Sequence, residues 1–313
     1  MAVDLHIGLH KTGTSSVQRL LSLHHDTLLR HGVDFPLMGG RPGVAKVHRP
    51  FADVLRGIDP VTPEAAALVE AWRPTQPRTI ISAEGFSHVA PATIGRVRAV
   101  FGDDTHIICA LRDPVSHIRS HHIQRSKMMH STVPLSAFLA ARHDEMVREP
   151  GGAYYRYDDN IARWRSTFRV STLTYREDGN MIDDLLDVLG VRDILGDYSA
   201  ASPRRNTSIH PATAAFARAV ARLSGAGKMD AERRQRIGLA VRKESTAIAR
   251  ALGDLTVSET VDVRPFKADF ARFNPIWAHL VDGTPDTLES VAGLAAEDEA
   301  LPGLVAEATG LRL

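Results

Sequence analysis

The chain has 313 residues with 38 basic and 37 acidic side chains, so its net charge of +1 gives no bulk attraction to nucleic acid or to an anionic membrane. The single cysteine, Cys109, excludes an internal disulfide framework and a cysteine-based zinc site. The sequence contains no long apolar run that could span a membrane, and we expect a cytoplasmic protein with a substantial core.

The first predicted elements are a strand and a helix joined by a short turn. Apolar side chains alternate over residues 3–9, which is typical of a strand, and they recur at helical spacing after Gly13. Gly13 permits the unusual backbone angles of a sharp turn, and Ser15 with Gln18 has the spacing of a capping box that would open the helix. Free N–H groups at the helix start, the helix dipole and the ammonium of Lys11 would then face one anion.

Strands and helices alternate through the next part of the chain. Strands are predicted at residues 33–37, 78–83, 106–111 and 170–175, and helices at residues 45–55, 63–72, 114–128, 135–147, 155–168 and 181–189. This alternation favours a parallel α/β sheet with right-handed crossovers. Because the carboxyl ends of parallel strands share one edge, Glu84 and Arg112, each at the end of a strand, should lie where such sheets bind ligands.

From about residue 200 the pattern changes. Arg204 and Arg205 lie in a basic loop, and residues 211–223, 230–252 and 267–280 are predicted to form helices with no clear strand. We therefore predict an α/β core over residues 1–200 and a mostly helical extension over residues 201–313. The extension should pack on the core to form one compact domain.

The turn after the first strand has a recognisable order of residues. In the phosphate loop of nucleoside triphosphatases the lysine follows the second glycine, whereas here Lys11 precedes Gly13. The stretch from Lys11 to Ser15 instead resembles the 5′-phosphosulfate loop of sulfotransferases that use 3′-phosphoadenosine 5′-phosphosulfate (PAPS). That family places an arginine at the end of a later strand and a serine eight positions on, both on the 3′-phosphate. Arg112 and Ser120 have this spacing.

The resemblance covers residues 4–190 and implies the sulfotransferase fold, a central parallel sheet flanked by helices with a P-loop-like strand, turn and helix. Residues 173–177 are similar to the strand in that family whose tyrosine contacts the adenine. The residues implied to bind PAPS are Lys11, Thr12, Gly13, Thr14, Ser15, Ser16, Arg112, Ser120 and Tyr175.

The implied reaction is an in-line transfer of a sulfuryl group from PAPS to an acceptor hydroxyl, in preference to an amine, with no metal ion. Lys11 and the amides at the helix start would neutralise charge on the leaving phosphate. The late Arg-Lys-Gly element and the Lys-Thr-His segment of cytosolic members are missing from the sequence. The likeness therefore shifts toward bacterial or carbohydrate-type branches, with a small-molecule or carbohydrate acceptor.

The acceptor must lose a proton to a general base, and the sequence offers two candidates. His48 has the better intrinsic pKa for work near neutrality, whereas Glu84 has the better predicted position at a strand end. Both candidates also have a plain structural interpretation, His48 as a surface histidine and Glu84 as a cap of the next segment. The same holds for Tyr175, which could be a core strand residue.

Two other function classes stay open. One is an atypical P-loop kinase, which the reversed order of Lys11 and Gly13 and the lack of an obvious Mg²⁺-binding carboxylate at a strand end both disfavour. The other is a non-catalytic nucleotide-binding relative that keeps Lys11 and Arg112 but has no base. His117 and His121 have the i, i+4 spacing of metal ligands, but no H-E-x-x-H motif accompanies them, so we predict no metal site.

Overall fold

The computed structural model describes residues 2–9, 12–38, 40–44, 48–58, 61–149, 154–176, 180–198, 209–223, 230–295, 300, 303 and 306. The chain divides into two compact units. Unit 1 comprises Met1–Asp113, Pro150–Arg205 and Asn274–Trp277, and unit 2 comprises Pro114–Glu149, Asn206–Phe273 and Ala278–Leu313. The division into domains at residue 200 stays a prediction.

Unit 1 is built on a five-stranded sheet with the strand order β2-β3-β1-β4-β5. Its strands are β1 Ala2–His6, β2 Val33–Asp34, β3 Arg78–Ser82, β4 His106–Arg112 and β5 Arg169–Tyr175. Every pair of neighbouring strands is parallel. β4 is buried along its whole length, as expected of a strand covered on both faces. The predicted α/β fold with a central parallel sheet is confirmed.

Most helices correspond to predicted spans, the helix over residues 135–148 ends one residue later than predicted, and the helix over residues 91–101 was not predicted. In unit 1 the helices are α1 Thr14–Leu23, α2 His25–Arg30, α3 Arg49–Arg56, α4 Pro63–Ala71, α5 Pro91–Phe101, α8 Tyr157–Arg165, α9 Met181–Val188 and α10 Arg192–Leu195. In unit 2 they are α6 Pro114–Lys127, α7 Leu135–Arg148, α11 Pro211–Leu223, α12 Ala231–Lys243, α13 Ser245–Leu252 and α14 Arg264–Phe273. Short 3₁₀ helices span Glu84–Phe86, Gly253–Leu255 and Pro275–Val281.

The core of unit 1 fixes α1 against the sheet. Val17, Leu20 and Leu21 of α1 are buried in one apolar cluster with Ile80 of β3 and Ile108 of β4. Full burial of each such side chain contributes roughly 1.5–3 kcal/mol. The start of α1 is therefore held firmly behind the carboxyl edge of the sheet.

A buried polar network lies on the amino-terminal side of the same sheet. The carboxylate of Asp4 accepts from Arg78 Nε at 2.7 Å and is 2.9 Å from His106 Nδ1. The other ring nitrogen of His106 lies 2.8 Å from Ser171 Oγ. Because these buried groups are paired within the sheet, the network is structural.

The structure corrects the prediction for the C-terminal part of the chain. Unit 2 contains the strands β6 Thr256–Asp262 and β7 Thr287–Leu294, which pair antiparallel, where only helices were predicted. β6 mixes β-branched and polar residues without strict alternation, and its many exposed positions left no apolar pattern to reveal it. The predicted helix over residues 230–252 is two helices, α12 and α13.

Buried polar contacts join β6 and β7 to the helices of unit 2. Glu259 of β6 accepts from the backbone N–H of Leu135 at 2.9 Å, at the start of α7. Arg218 of α11 is 2% exposed and donates to the carbonyl oxygens of Val291 and Ala292 at 2.6 and 3.2 Å. A charged side chain is retained in this interior because its donors meet backbone acceptors. Within the described ranges, no helix is long and apolar enough to cross a membrane.

Candidate functional site

The chain leaves β1 along its neighbour β4 before it turns. The N–H of Ile7 donates to the carbonyl of Ile108 at 2.8 Å, and the N–H of Leu9 donates to the carbonyl of Ala110 at 3.0 Å. These bonds bring residues 7–9, the first part of the β1–α1 loop (residues 7–13), to the carboxyl edge of the sheet. Lys11 lies outside the described residues, so its role stays a prediction.

The start of α1 is set by Gly13, which is the N-cap and has a left-handed backbone with φ of 80°. Glycine adopts this conformation at no steric cost. Thr12 braces the turn, because its Oγ1 donates to the carbonyl of Leu9 at 2.7 Å. Among the described residues no side chain caps α1, so the amides of Thr14 and Ser15 lack an intrahelical acceptor and suit an anion.

The predicted capping box of Ser15 and Gln18 is wrong. The helix begins two residues earlier, after Gly13, and Gln18 points into the protein with 2% of its surface exposed. Its Nε2 donates to Ser82 at the end of β3, 3.2 Å from Oγ and 3.3 Å from the carbonyl oxygen. Gln18 on the inward face of α1 meets the buried polar atoms of a strand end instead of its own helix start.

His48 precedes α3 and is completely buried. Its Nδ1 accepts the backbone N–H of Ser82 at 2.9 Å, and its Nε2 lies 2.7 Å from the carbonyl oxygen of Pro36. Burial lowers the pKa of His48 to about 4, against the opposing effect of these backbone hydrogen bonds. Both ring nitrogens are thus engaged away from solvent, a geometry that disfavours His48 as the base.

Glu84 opens the 3₁₀ helix that follows β3 and is half-buried. The N–H of Ala83 donates to the carbonyl of His6 at 3.0 Å, which extends the pairing of β3 with β1 to the residue before Glu84. The carboxylate of Glu84 is close enough to His6 to act on its pKa. Glu84 therefore lies at the carboxyl edge, beside the point where the chain leaves β1.

Arg112 and Tyr175 are paired in register at the ends of β4 and β5. The guanidinium of Arg112 lies over the Tyr175 ring, 4.7 Å from the ring centroid, which is a cation–π contact. The hydroxyl of Tyr157 donates to the carbonyl of Arg112 at 3.1 Å. Ser120 is half-buried on α6 of unit 2, and its role stays a prediction.

The strand order creates a crevice at this edge. The connection after β1 leads toward β2, and the connection after β4 leads toward β5 on the opposite side. In open parallel sheets, ligands bind at such a switch point. The β1–α1 loop and Arg112 flank it, and Glu84 lies on the other side of β1.

The other residues that the sequence singled out have no assigned role in the site. Cys109 is a free, buried thiol on β4, and burial raises its pKa to about 12. His117 and His121 stack on α6 with ring centroids 6.2 Å apart. In the part of the chain that the structure describes, no group of His, Cys, Asp and Glu side chains could hold a metal ion. Arg204 and Arg205 lie outside that part.

Sequence reasoning missed His6 and Ser82 and assigned Gln18 to a capping box. The three side chains meet where β1 and β3 end. Ser82 lies 64 residues from Gln18 and 76 residues from His6 along the chain. No local motif links them. The only signal was that Ser82 immediately precedes the Ala83-Glu84 segment at a predicted strand end.

Comparison with known proteins found a similar solved structure but no matching family. No family model matches the chain, and no curated protein matches it. Among solved structures, the chain is similar to a crystal structure of a sulfotransferase from Alicyclobacillus acidocaldarius, with 20% identity and a TM-score of 0.39. The match covers 74% of this chain and 98% of that one. At this identity and TM-score, the similarity identifies no family for the chain.

Proposed function

We propose that the protein transfers a sulfuryl group from PAPS to an acceptor hydroxyl, in preference to an amine. The observation that carries the proposal is the placement of two donor clusters on either side of the β1–β4 crevice. One is the uncapped start of α1, and the other is Arg112. A nucleotide with phosphates at both ends of its nucleoside needs two separate clusters of this kind.

Each cluster has a role toward one end of the donor. Lys11, Thr12 and the backbone N–H groups of residues 13–16 would bind the 5′-phosphosulfate. Arg112 and Ser120 would bind the 3′-phosphate, where a guanidinium can engage two oxygens at once. The Tyr175 ring, already covered on one face by Arg112, would contact the adenine.

PAPS would supply an activated sulfuryl group whose sulfur–oxygen bond to the 5′-phosphate breaks as the acceptor oxygen bonds to sulfur. Lys11 and the amides of Thr14 and Ser15 would stabilise the negative charge that develops on the leaving phosphate. Glu84 would accept the proton of the acceptor hydroxyl. Of the two candidate bases, Glu84 is retained because it is half-buried at the carboxyl edge, whereas His48 is completely buried.

The acceptor class follows less directly from the residues. We propose a small molecule or a carbohydrate, because the sequence likeness points toward bacterial or carbohydrate-type branches. A panel of hydroxyl and amine acceptors, assayed by release of 3′-phosphoadenosine 5′-phosphate (PAP) from PAPS, would identify it. Lys11→Ala should abolish this release and leave the melting temperature unchanged.

Ligand-dependent melting tests the donor specificity. A ligand that binds only the folded state at 100 times its Kd stabilises that state by about 2.7 kcal/mol. We expect PAP to raise the melting temperature and ATP with Mg²⁺ to leave it unchanged. Stabilisation by ATP with Mg²⁺ and not by PAP would contradict the proposal and favour a kinase.

A further inference from the structure

Ser82 is the meeting point of three buried side chains from three different segments. Its N–H donates to His48, its Oγ lies 2.8 Å from His6 Nδ1, and both its Oγ and its carbonyl accept from Gln18. His6 ends β1, Gln18 lies on α1, and each is 1–2% exposed. The two elements on either side of the β1–α1 loop are thus tied to the same residue of β3.

The hydroxyl of Ser82 joins Gln18 to His6. Its Oγ accepts from Gln18 Nε2 at 3.2 Å and lies 2.8 Å from His6 Nδ1. Burial lowers the pKa of His6 to about 4, and the nearby carboxylate of Glu84 acts in the opposite direction. The network is therefore neutral at physiological pH.

The other edge of the His6 ring faces the loop. An ideal Cβ built on Gly8 would lie 2.6 Å from His6 Nε2, so the ring packs directly against the backbone of the loop. The same position is also 3.0 Å from Thr14 Cγ2, at the first turn of α1. His6 Nε2 is buried and has no hydrogen-bond partner among the described residues.

A buried ring nitrogen without a hydrogen-bond partner destabilises the folded state. An apolar side chain of similar shape would avoid this destabilisation. The ring touches Ser82 on one side and Gly8 on the other. These two residues belong to the segments that carry Glu84 and the start of α1.

We propose that His6 is a positioning residue for the β1–α1 loop. It contacts the backbone at Gly8 directly and holds the Glu84 segment in a fixed position through Ser82. The inference rests on the proposed function, because it assigns His6 a part in the same site. Its consequence is that loss of His6 weakens the contacts to the 5′-phosphate and leaves the contacts to the 3′-phosphate intact.

Two nucleotides separate these contacts by calorimetry. PAP carries both phosphates, and adenosine 3′-monophosphate lacks the one at the 5′ position. In His6→Leu we expect PAP to bind about tenfold more weakly, the equivalent of one hydrogen-bonded contact, with the affinity for adenosine 3′-monophosphate unchanged. His6→Asn, whose amide can reach Ser82 Oγ, should recover most of the PAP affinity.

His106→Leu is the matched control, since it removes a buried strand histidine nearer the amino-terminal end of the strands. It should lower the melting temperature and leave the ratio of the two affinities unchanged. If His6→Leu does not fold, His6→Gln, which loses the Ser82 contact, gives the same comparison. The positioning role would be overturned if the His6 variants bind PAP as tightly as the wild type does. It would also be overturned if their affinities for both nucleotides fall by the same factor. If the wild type itself fails to bind PAP, the proposed function fails as well.

Discussion

The left-handed glycine at the start of α1 offers the sharpest test of the site. Gly13 has φ of 80°, and a Cβ added there would meet only Met181 Cγ, at 4.0 Å. Gly13→Ala therefore introduces no clash, and its cost is that of holding an alanine in the left-handed region. That cost is about 1–2 kcal/mol.

Gly32 provides a matched control at a distance from the site. It follows α2 with φ of 74°, and an added Cβ would have nothing within 4 Å. Gly32→Ala should thus lose the same free energy of unfolding. Urea denaturation measures that loss in both variants, and calorimetry measures their affinity for PAP.

We expect equal destabilisation in the two variants and weaker PAP binding in Gly13→Ala alone. The reason is that relaxation of Gly13 turns the first amides of α1 away from the anion. An unchanged free energy of unfolding in Gly13→Ala would refute the conformational reasoning. PAP affinity that falls equally in Gly32→Ala would refute the link between Gly13 and the site.

Three further predictions concern side chains of the site. Glu84→Gln should slow transfer by about 10²–10⁴-fold, as loss of a general base does, with PAP affinity kept; full transfer activity would exclude Glu84. Burial lowers the pKa of His48 in the folded chain to about 4, against its usual 6.5. The free energy of unfolding should therefore fall as the pH drops from 6.5 to 4. In His48→Gln the urea midpoint should depend less on pH between pH 4 and pH 6.5. An unchanged dependence would contradict the assignment of this effect to His48. Arg112→Lys keeps the charge but loses the planar contact with Tyr175, so its affinity for PAP, measured by calorimetry, should fall about tenfold. Tyr175→Phe keeps the ring and should bind PAP as the wild type does.

The parts of the fold that the sequence predicts well are those with a strong local pattern. The apolar run of β4 and the helical spacing of Val17, Leu20 and Leu21 both correspond to buried surfaces in the structure. β6 and β7 escaped prediction because half-exposed strands with polar residues carry no such pattern. These strands form because β6 and β7 pair with each other, and a short window of sequence does not contain information on such distant pairing.

The candidate site divides in the same way. Glu84, Arg112 and Tyr175 could be placed at strand ends because parallel strands share a carboxyl edge. The burial of His48 could not be predicted, since its partners Pro36 and Ser82 lie 12 and 34 residues away. The apparent capping box failed for a similar reason, because the distant Ser82 is the partner of Gln18.

Cys109 gives the protein a built-in reporter of unfolding. It is the single cysteine of the chain, and its thiol is buried in β4, the strand that ends at Arg112. A thiol reagent attacks only an accessible thiolate, so alkylation must wait until this central strand detaches from its neighbours. The rate of alkylation in increasing concentrations of nucleotide thus measures ligand binding without any engineered label or dye.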